Sequence, residues 1–168
     1  MRFFLHVLLA ITLISQQRIF AQDSTNTHAL YIEVLGNQFN HTYNYEYQLH
    51  YPNNWHIGLR AGIGAYHIKD FENKFNPDLL MPFAIHGWYG NKHSLEAGLG
   101  QTIVSMVRFD IAEADKKRGV SMHTQFNLGY RYQKAAGGFQ FRALYAPFIN
   151  HNKTFRHWGG LSIGYVFS

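Results

Sequence analysis

The sequence has no cysteine and little charge, and each shortage excludes a class of protein. Without cysteine, the 168-residue chain has no disulfide, no thiolate zinc site, no cysteine nucleophile and no lipid-anchored N-terminus. Charged residues make up 15% of it, against about 25% in typical soluble domains. Phenylalanine and tyrosine are plentiful instead, at 14 and 11 residues, beside 15 glycines. This balance favours strands that face an apolar medium on one side.

The net charge of +5 is dispersed along the chain and forms no basic stripe. The one compact basic run, at positions 116–118, lies beside Asp110, Glu113 and Asp115, which is typical of a solvated loop. A nucleic-acid interface would combine a basic stripe with exposed aromatic residues. We therefore expect no nucleic-acid partner.

The first 21 residues have the pattern of an export signal. Arg2 precedes an apolar stretch from Phe3 to Ile14, and Ala21 ends the segment with a small residue. The apolar stretch is shorter than the roughly 20 residues that a spanning helix needs. We predict a cleaved signal peptide over 1–21, followed by a single domain over 22–168.

Beyond this segment, apolar and polar residues alternate with a period of two, which indicates strands rather than helices. In one example, Leu95, Ala97 and Leu99 alternate with Glu96 and Gly98. Eight strands of this kind are predicted, at 29–37, 39–50, 55–67, 79–89, 94–105, 119–132, 139–149 and 157–168. Their lengths suit tilted transmembrane strands, which need about 9–11 residues. The expected fold is all-β, an eight-stranded antiparallel up-and-down transmembrane barrel.

The connections between these strands alternate between short and long. Turn-forming residues fill short connections, whereas 68–78, 106–118 and 150–156 are longer. The first external connection, around 36–38, is the exception and must be tight. Short turns on the periplasmic side and longer loops outside are typical of outer-membrane barrels, so any binding partner is expected at loops 68–78 and 106–118.

Three segments carry a resemblance to a known group of proteins. The run Tyr31–Asn37, the triplet Asn44–Glu46 and the closing run Trp158–Phe167 resemble the small outer-membrane β-barrel domain proteins of Gram-negative bacteria, with OmpA- and OmpX-type architecture. The last strand also resembles the C-terminal signal that the barrel-assembly machinery reads, although Ser168 follows the aromatic residue. The resemblance implies a place in the bacterial outer membrane. The partners it implies are outer-membrane lipid, lipopolysaccharide and, during biogenesis, the assembly machinery.

The alternation also predicts which residues face the interior of the barrel. Three acids and three arginines share the inward parity: Glu33, Glu46, Arg60, Glu96, Arg131 and Arg142. Because eight strands leave an interior that side chains can just fill, we expect these charges to pair and to plug the periplasmic half, with inward glycines making room. A filled lumen argues against a general diffusion pore.

The outward parity carries aromatic residues near many strand ends, where outer-membrane barrels have aromatic girdles at the headgroup level. Those predicted at the membrane interface are Tyr43, Tyr45, Tyr47, Tyr130, Tyr132 and Phe167.

No reaction motif is found, and no catalytic residue, metal or cofactor is expected. The histidines are dispersed, although His50 and His56 have the parity to meet across the first tight turn. Two histidines make an incomplete zinc site. Ser121 and His123, with Glu113 in the preceding loop, are a weak candidate trio for a lipid hydrolase.

The favoured interpretation is a non-enzymatic membrane barrel with a role in envelope integrity or in loop-mediated binding or adhesion. One alternative is an enzyme that modifies lipid A or phospholipid. A second is a soluble periplasmic barrel like a lipocalin, which requires the opposite polarity, apolar inside and polar outside.

Overall fold

A computed structural model describes residues 26–35, 41–70, 72–110, 115–150 and 153–167. The predicted signal peptide and the tight connection at 36–38 lie outside these residues. The strands are β1 (Thr27–Val34), β2 (His41–His50), β3 (Trp55–Ala65), β4 (Leu79–Tyr89), β5 (His93–Asp110), β6 (Asp115–Gln133), β7 (Gly138–Tyr145), β8 (Phe148–Ile149), β9 (Phe155–Arg156) and β10 (Gly159–Phe167). No helix among the described residues is long and apolar enough to cross a membrane.

The strands form a closed antiparallel barrel in which each long strand pairs with its neighbour in the chain. The pairing runs from β5 back through β4, β3, β2 and β1 to β10, then through β7 to β6, and β6 pairs with β5. Eight strand positions therefore surround the lumen in the described part of the chain. Closure removes the unpaired edges that an open sheet would expose.

Two prolines explain why the ladder is interrupted where it is. The β6–β7 register continues unchanged into β6–β8, so β7 and β8 are one strand position divided near Pro147. The register of β8–β9 likewise continues into β7–β10. Between β3 and β4 the paired positions skip Pro82. Proline has no backbone N–H, so the ladder loses a donor at each point without losing its register.

The predicted strand boundaries are wrong on one side of the barrel. The segment 106–118 was expected as a loop, but β5 continues to Asp110 and β6 begins at Asp115. β4 pairs with β5 only up to Ser105 of β5. Beyond that residue, β5 and β6 pair only with each other. We call this projecting ribbon, residues 106–110 and 115–119, the arm. Its alternation is hard to read in sequence because neither of its faces is uniformly apolar.

Burial alternates along the strands and separates a polar lumen from an apolar outer face. In β2, for example, Thr42, Asn44 and Glu46 are buried, whereas Tyr43 and Tyr45 are exposed. The turn end of the barrel carries the connections at 51–54, 90–92 and 134–137. The opposite loop end carries 66–78 and the arm.

Candidate functional site

The barrel interior holds all six of the predicted inward charges, each at most 3% exposed. They form two groups. Towards the loop end, Arg60 donates two hydrogen bonds of 3.0 Å to the two carboxylate oxygens of Glu33. The same guanidinium donates through Nε to Asn44, and Ser162 donates to Glu33 at 3.2 Å. Every partner in this first group lies inside the barrel.

The second group joins two acids and two arginines from strands on opposite sides of the lumen. Arg131 donates to both oxygens of Glu46, at 2.7 and 3.1 Å, and through Nε to Glu96 at 2.6 Å. Arg142 donates to Glu96 with two of its nitrogens, one at 3.1 Å, and to Glu46 at 3.4 Å. Because the acids and arginines are equal in number, the formal charges cancel in the low-dielectric interior, where an unpaired charge would be costly. We call the two groups together the lumen network.

Three further members of the network that carry no fixed charge were not predicted from the sequence: His86, Trp88 and Tyr31. His86 Nδ1 lies 3.0 Å from a Glu96 oxygen, at an angle that makes it an electrostatic contact rather than an aligned hydrogen bond. The Arg131 guanidinium carbon lies 3.9 Å from the centre of the Trp88 ring, and that of Arg142 lies 4.9 Å from the Tyr31 ring. These stacking contacts fill the space that the ion pairs leave. The inward parity of all three was visible in the alternation.

Glutamines close the lumen at the turn end. Gln48 and Gln133 exchange side-chain hydrogen bonds of 3.2 and 2.7 Å, and Gln140 donates to Gln133 at 2.8 Å. Gln48 also donates to Glu46 at 2.8 Å, which joins this layer to the ion pairs. The turn-end half of the lumen is therefore filled by one continuous set of polar contacts.

Glycines on the inward face admit these large side chains. A Cβ atom added to Gly98 would lie 2.6 Å from His86 Nδ1, and one added to Gly58 would lie 3.0 Å from both the Glu46 carboxyl carbon and the Trp88 ring. The contact at Gly98 is closer than real Cβ atoms approach other atoms, and those at Gly58 are tighter than nine in ten real Cβ contacts. These glycine positions therefore define the space that the lumen network occupies.

The histidine pair at the first tight turn does form. His50 Nδ1 lies 2.7 Å from His56 Nδ1, and the other ring nitrogens contact Thr27 Oγ1 at 2.7 Å and the Gly90 carbonyl oxygen at 3.0 Å. Both rings are therefore engaged by protein groups. No cluster of three or more metal-ligating side chains occurs in the described residues.

The weak hydrolase candidate is only partly assembled. Ser121 Oγ lies 3.5 Å from His123 Nε2, at the limit of a hydrogen bond, and both side chains have the inward parity. His123 stacks on Phe148, with ring centres 5.9 Å apart. Glu113 lies outside the described residues. A lipid hydrolase needs its nucleophile at the lipid-facing rim, and this pair faces the lumen instead.

At the loop end, the 66–78 loop packs against the arm, so the two predicted binding loops form one unit. Arg118 on the arm donates to the carbonyl oxygens of Asn76 and Pro77, and Asp78 accepts a 2.8 Å hydrogen bond from the Val107 backbone N–H. Glu72 accepts from the ammonium groups of Lys74 at 2.8 Å and Lys116 at 3.1 Å.

These contacts shape the electrostatics and the surface of the loop end. The Lys74 and Lys116 ammonium groups hold the pKa of the Glu72 carboxyl below its ordinary value. A cavity of about 400 Å³ lies between the loop and the base of the arm, lined by residues that include Tyr66, Asp78 and Met106. The contacts between the 66–78 loop and the arm therefore fix the shape of the surface at the loop end.

No protein-family model and no curated protein matches the chain. Solved structures do. The N-terminal β-barrel domain of Pseudomonas aeruginosa OprF matches with a TM-score of 0.53 at 16% identity, over 87% of this chain and 98% of that domain. The outer membrane protein Ail of Yersinia pestis, in a phospholipid bilayer nanodisc, matches with a TM-score of 0.53 at 12% identity, over 86% of this chain and 100% of that one. The fold is that of an eight-stranded outer-membrane β-barrel.

A second structure of Ail, in complex with the heparin analogue sucrose octasulfate, matches with a TM-score of 0.50 at 12% identity, over 86% of this chain and 97% of that one. At such identities the similarity establishes the architecture of this outer-membrane barrel. The predicted fold class and the resemblance in architecture are confirmed.

The predicted interface aromatics all lie on the outer face of the barrel. Tyr47, Tyr132 and Phe167 lie close to the turn end, and Tyr130 lies one outward position further in. Tyr43 lies near the loop end of β2, and Tyr45 is close to the middle of that strand. Other residues extend the turn-end belt, among them Trp55 and Tyr89, whose ring centres are 5.1 Å apart.

Proposed function

We propose that the protein is an integral outer-membrane barrel with a closed lumen, whose loop end presents a binding surface. The observation that carries this proposal is the polarity of the barrel: ionised side chains are buried inside, and large apolar side chains are exposed outside. Among the latter, Leu95 is 73% exposed, Ile163 55% and Leu128 60%. An outer face of this kind suits lipid, where closed barrels are among the few structures that leave no backbone group unpaired. A lipocalin-like carrier would need the reverse polarity.

Cell fractionation tests the membrane proposal directly. Cells that express the full chain are separated into periplasmic and outer-membrane fractions, and each fraction is run on a gel with and without heating. We expect an outer-membrane band that changes mobility on boiling, because a folded barrel binds detergent differently from the unfolded chain. A soluble periplasmic protein with one mobility would overturn the proposal.

The charges on the arm support an anionic polysaccharide as the partner of the loop end. Arg108 and Lys117 are directly opposite each other in the ribbon, so their side chains lie on the same face and can contact one anion together. Lys69 adds a cation on the neighbouring loop, where the Lys74 ammonium pairs with Glu72. The complex of the similarly folded Ail with a heparin analogue makes heparin a suitable probe.

Retention of the folded barrel on immobilised heparin tests this part of the proposal. We expect the Arg108→Gln and Lys117→Gln variants to elute at lower salt than the unmodified protein. Lys92→Gln and Lys134→Gln at the turn end serve as matched controls, because they remove the same charges from the opposite end of the barrel. Equal losses at both ends would mean that net charge alone causes retention, and the proposed surface would be refuted.

A further inference from the structure

A cluster of one histidine and two tyrosines occurs twice on the outer face at the turn end of the barrel. Near the beginning of β1 and of β5, an outward-facing histidine lies beside two tyrosines of the next strand. His28 is directly opposite Tyr47, and His93 is directly opposite Tyr132. In each case a second tyrosine, Tyr45 or Tyr130, lies two residues before the first one and on the same face of its strand. This arrangement is not needed to pair the strands, so its repetition calls for another explanation.

The first copy surrounds an imidazole with three aromatic rings. His28 Nδ1 lies 2.6 Å from the hydroxyl oxygen of Tyr45. The centre of its ring is 5.8 Å from that of Tyr45, 5.4 Å from that of Tyr47 and 5.8 Å from that of Phe167, on which it stacks at 20°. The imidazole is therefore held in one orientation on a surface that is otherwise apolar.

The second copy has the same geometry and an additional cation. His93 Nδ1 lies 2.6 Å from the hydroxyl oxygen of Tyr130, and its ring centre is 6.0 Å from that of Tyr130 and 5.4 Å from that of Tyr132. The Lys92 ammonium lies 5.6 Å from the Tyr132 ring centre. The side chains of His93 and Lys92 are both exposed. A positive charge thus lies over the tyrosine ring that packs against the second imidazole.

The two copies lie on opposite sides of the barrel. The strand order places β1 and β2 four positions away from β5 and β6 in a ring of eight. Both histidines stand at the turn end, so both would lie at the same depth in a bilayer. At that depth a membrane presents the phosphates and glycerol esters of its lipids.

We propose that each histidine, with its two tyrosines, binds the phosphate diester of a glycerophospholipid in the periplasmic leaflet. This inference rests on the proposed membrane location. When the tyrosine hydroxyl donates to Nδ1, the ring proton resides on Nε2, which becomes a hydrogen-bond donor of fixed direction. A lipid phosphate supplies the acceptor, and the tyrosine rings pack against the lipid's glycerol region. Lys92 adds a charge contact to the site around His93.

Native mass spectrometry of the full-length protein, released from detergent micelles containing phosphatidylglycerol, tests the proposal. We expect the folded barrel to retain two phosphatidylglycerol molecules. The variants His28→Phe and His93→Phe should each retain one, and the double variant should retain none. Phenylalanine keeps the ring and the outward apolar surface but removes both nitrogens, so the barrel itself should remain folded and heat-modifiable.

Two controls decide between phosphate recognition and simpler explanations. Dioleoylglycerol lacks the phosphate, so it should not be retained, and retention equal to that of phosphatidylglycerol would overturn the proposal. His157→Phe removes a histidine that contacts the Tyr145 hydroxyl but has Phe155 in place of a second tyrosine. It should leave two lipids bound, and loss of lipid in this variant would also overturn the proposal. If the barrel is in the membrane but both histidine variants retain as much lipid as the unmodified protein, this inference alone is refuted. If the protein is soluble, the proposed function on which the inference rests is refuted as well.

Discussion

Replacing Glu96 with glutamine tests whether the lumen network balances its charges as the structure indicates. The Glu96 carboxylate accepts hydrogen bonds from two arginines, with Arg131 Nε at 2.6 Å and Arg142 Nε at 3.1 Å. Its carboxylate is completely buried. Glutamine keeps the size of the side chain but removes the negative charge. Glu46 then remains as the only acid facing two buried guanidinium groups in this part of the network.

The cost of this change follows from the desolvation of the charge left behind. Removing one partner of a buried ion pair costs about 3–5 kcal/mol, because the other charge is left uncompensated. With a urea slope of about 2 kcal/mol per molar, the unfolding midpoint should fall by about 1.5–2.5 M. Combining Glu96→Gln with Arg142→Met should recover part of this loss, because the bidentate pair between Glu46 and Arg131 remains and the formal charges again cancel. We expect a coupling energy of at least about 1 kcal/mol.

Urea unfolding of the barrel in lipid vesicles measures these midpoints, followed by gel mobility and by tryptophan fluorescence. Glu72→Gln is the matched control, because it makes the same substitution in an exposed loop and should leave the midpoint unchanged. The reasoning is refuted if Glu96→Gln unfolds at the midpoint of the unmodified protein. It is equally refuted if the double variant loses the full sum of its two single losses.

Three further predictions concern packing, the arm and the lumen. Gly98→Val should abolish heat-modifiability, because its Cβ would lie 2.6 Å from His86 Nδ1, whereas Gly119→Val should fold normally, because its Cβ would meet nothing within 4 Å. Arg118→Ala should speed tryptic cleavage in the 66–78 loop at least several-fold without moving the urea midpoint. Arg108→Ala should change neither quantity, because Arg108 makes no hydrogen bond to that loop among the described residues. Planar-bilayer recordings should show no steady open channel, because polar side chains fill the turn-end half of the lumen, and a stable conductance would contradict the closed lumen.

The strand period and the lumen charges could be predicted because both depend on parity alone. Once a strand alternates, each residue's face is decided, so Glu46 and Arg131 were assigned to the same interior although they are 85 residues apart. Which acid pairs with which arginine could not be predicted. That depends on the stagger between strands, which alternation does not encode. The separate pairing of Glu33 with Arg60 is an example.

The arm and the neutral members of the network were missed for different physical reasons. The arm is a two-stranded ribbon with partly exposed residues on both faces, so it lacks the contrast between apolar and polar faces that made the other strands visible. His86 and Trp88 had the correct parity, but neither residue carries a fixed charge that demands a partner. Their role became evident only when the register placed them beside Glu96 and Arg131.

The pairing of β2 with the distant β5, β6 and β7 through the lumen network has a consequence for the order of events during assembly. Glu46 enters the chain early, while both arginines that neutralise it belong to the second half. Until those strands join the sheet, Glu46 lacks both arginines, and an uncompensated charge is costly in a low-dielectric environment. Circularisation neutralises these charges in the same step that satisfies the last two strand edges. The interior charges are therefore fully paired only when the ring is complete.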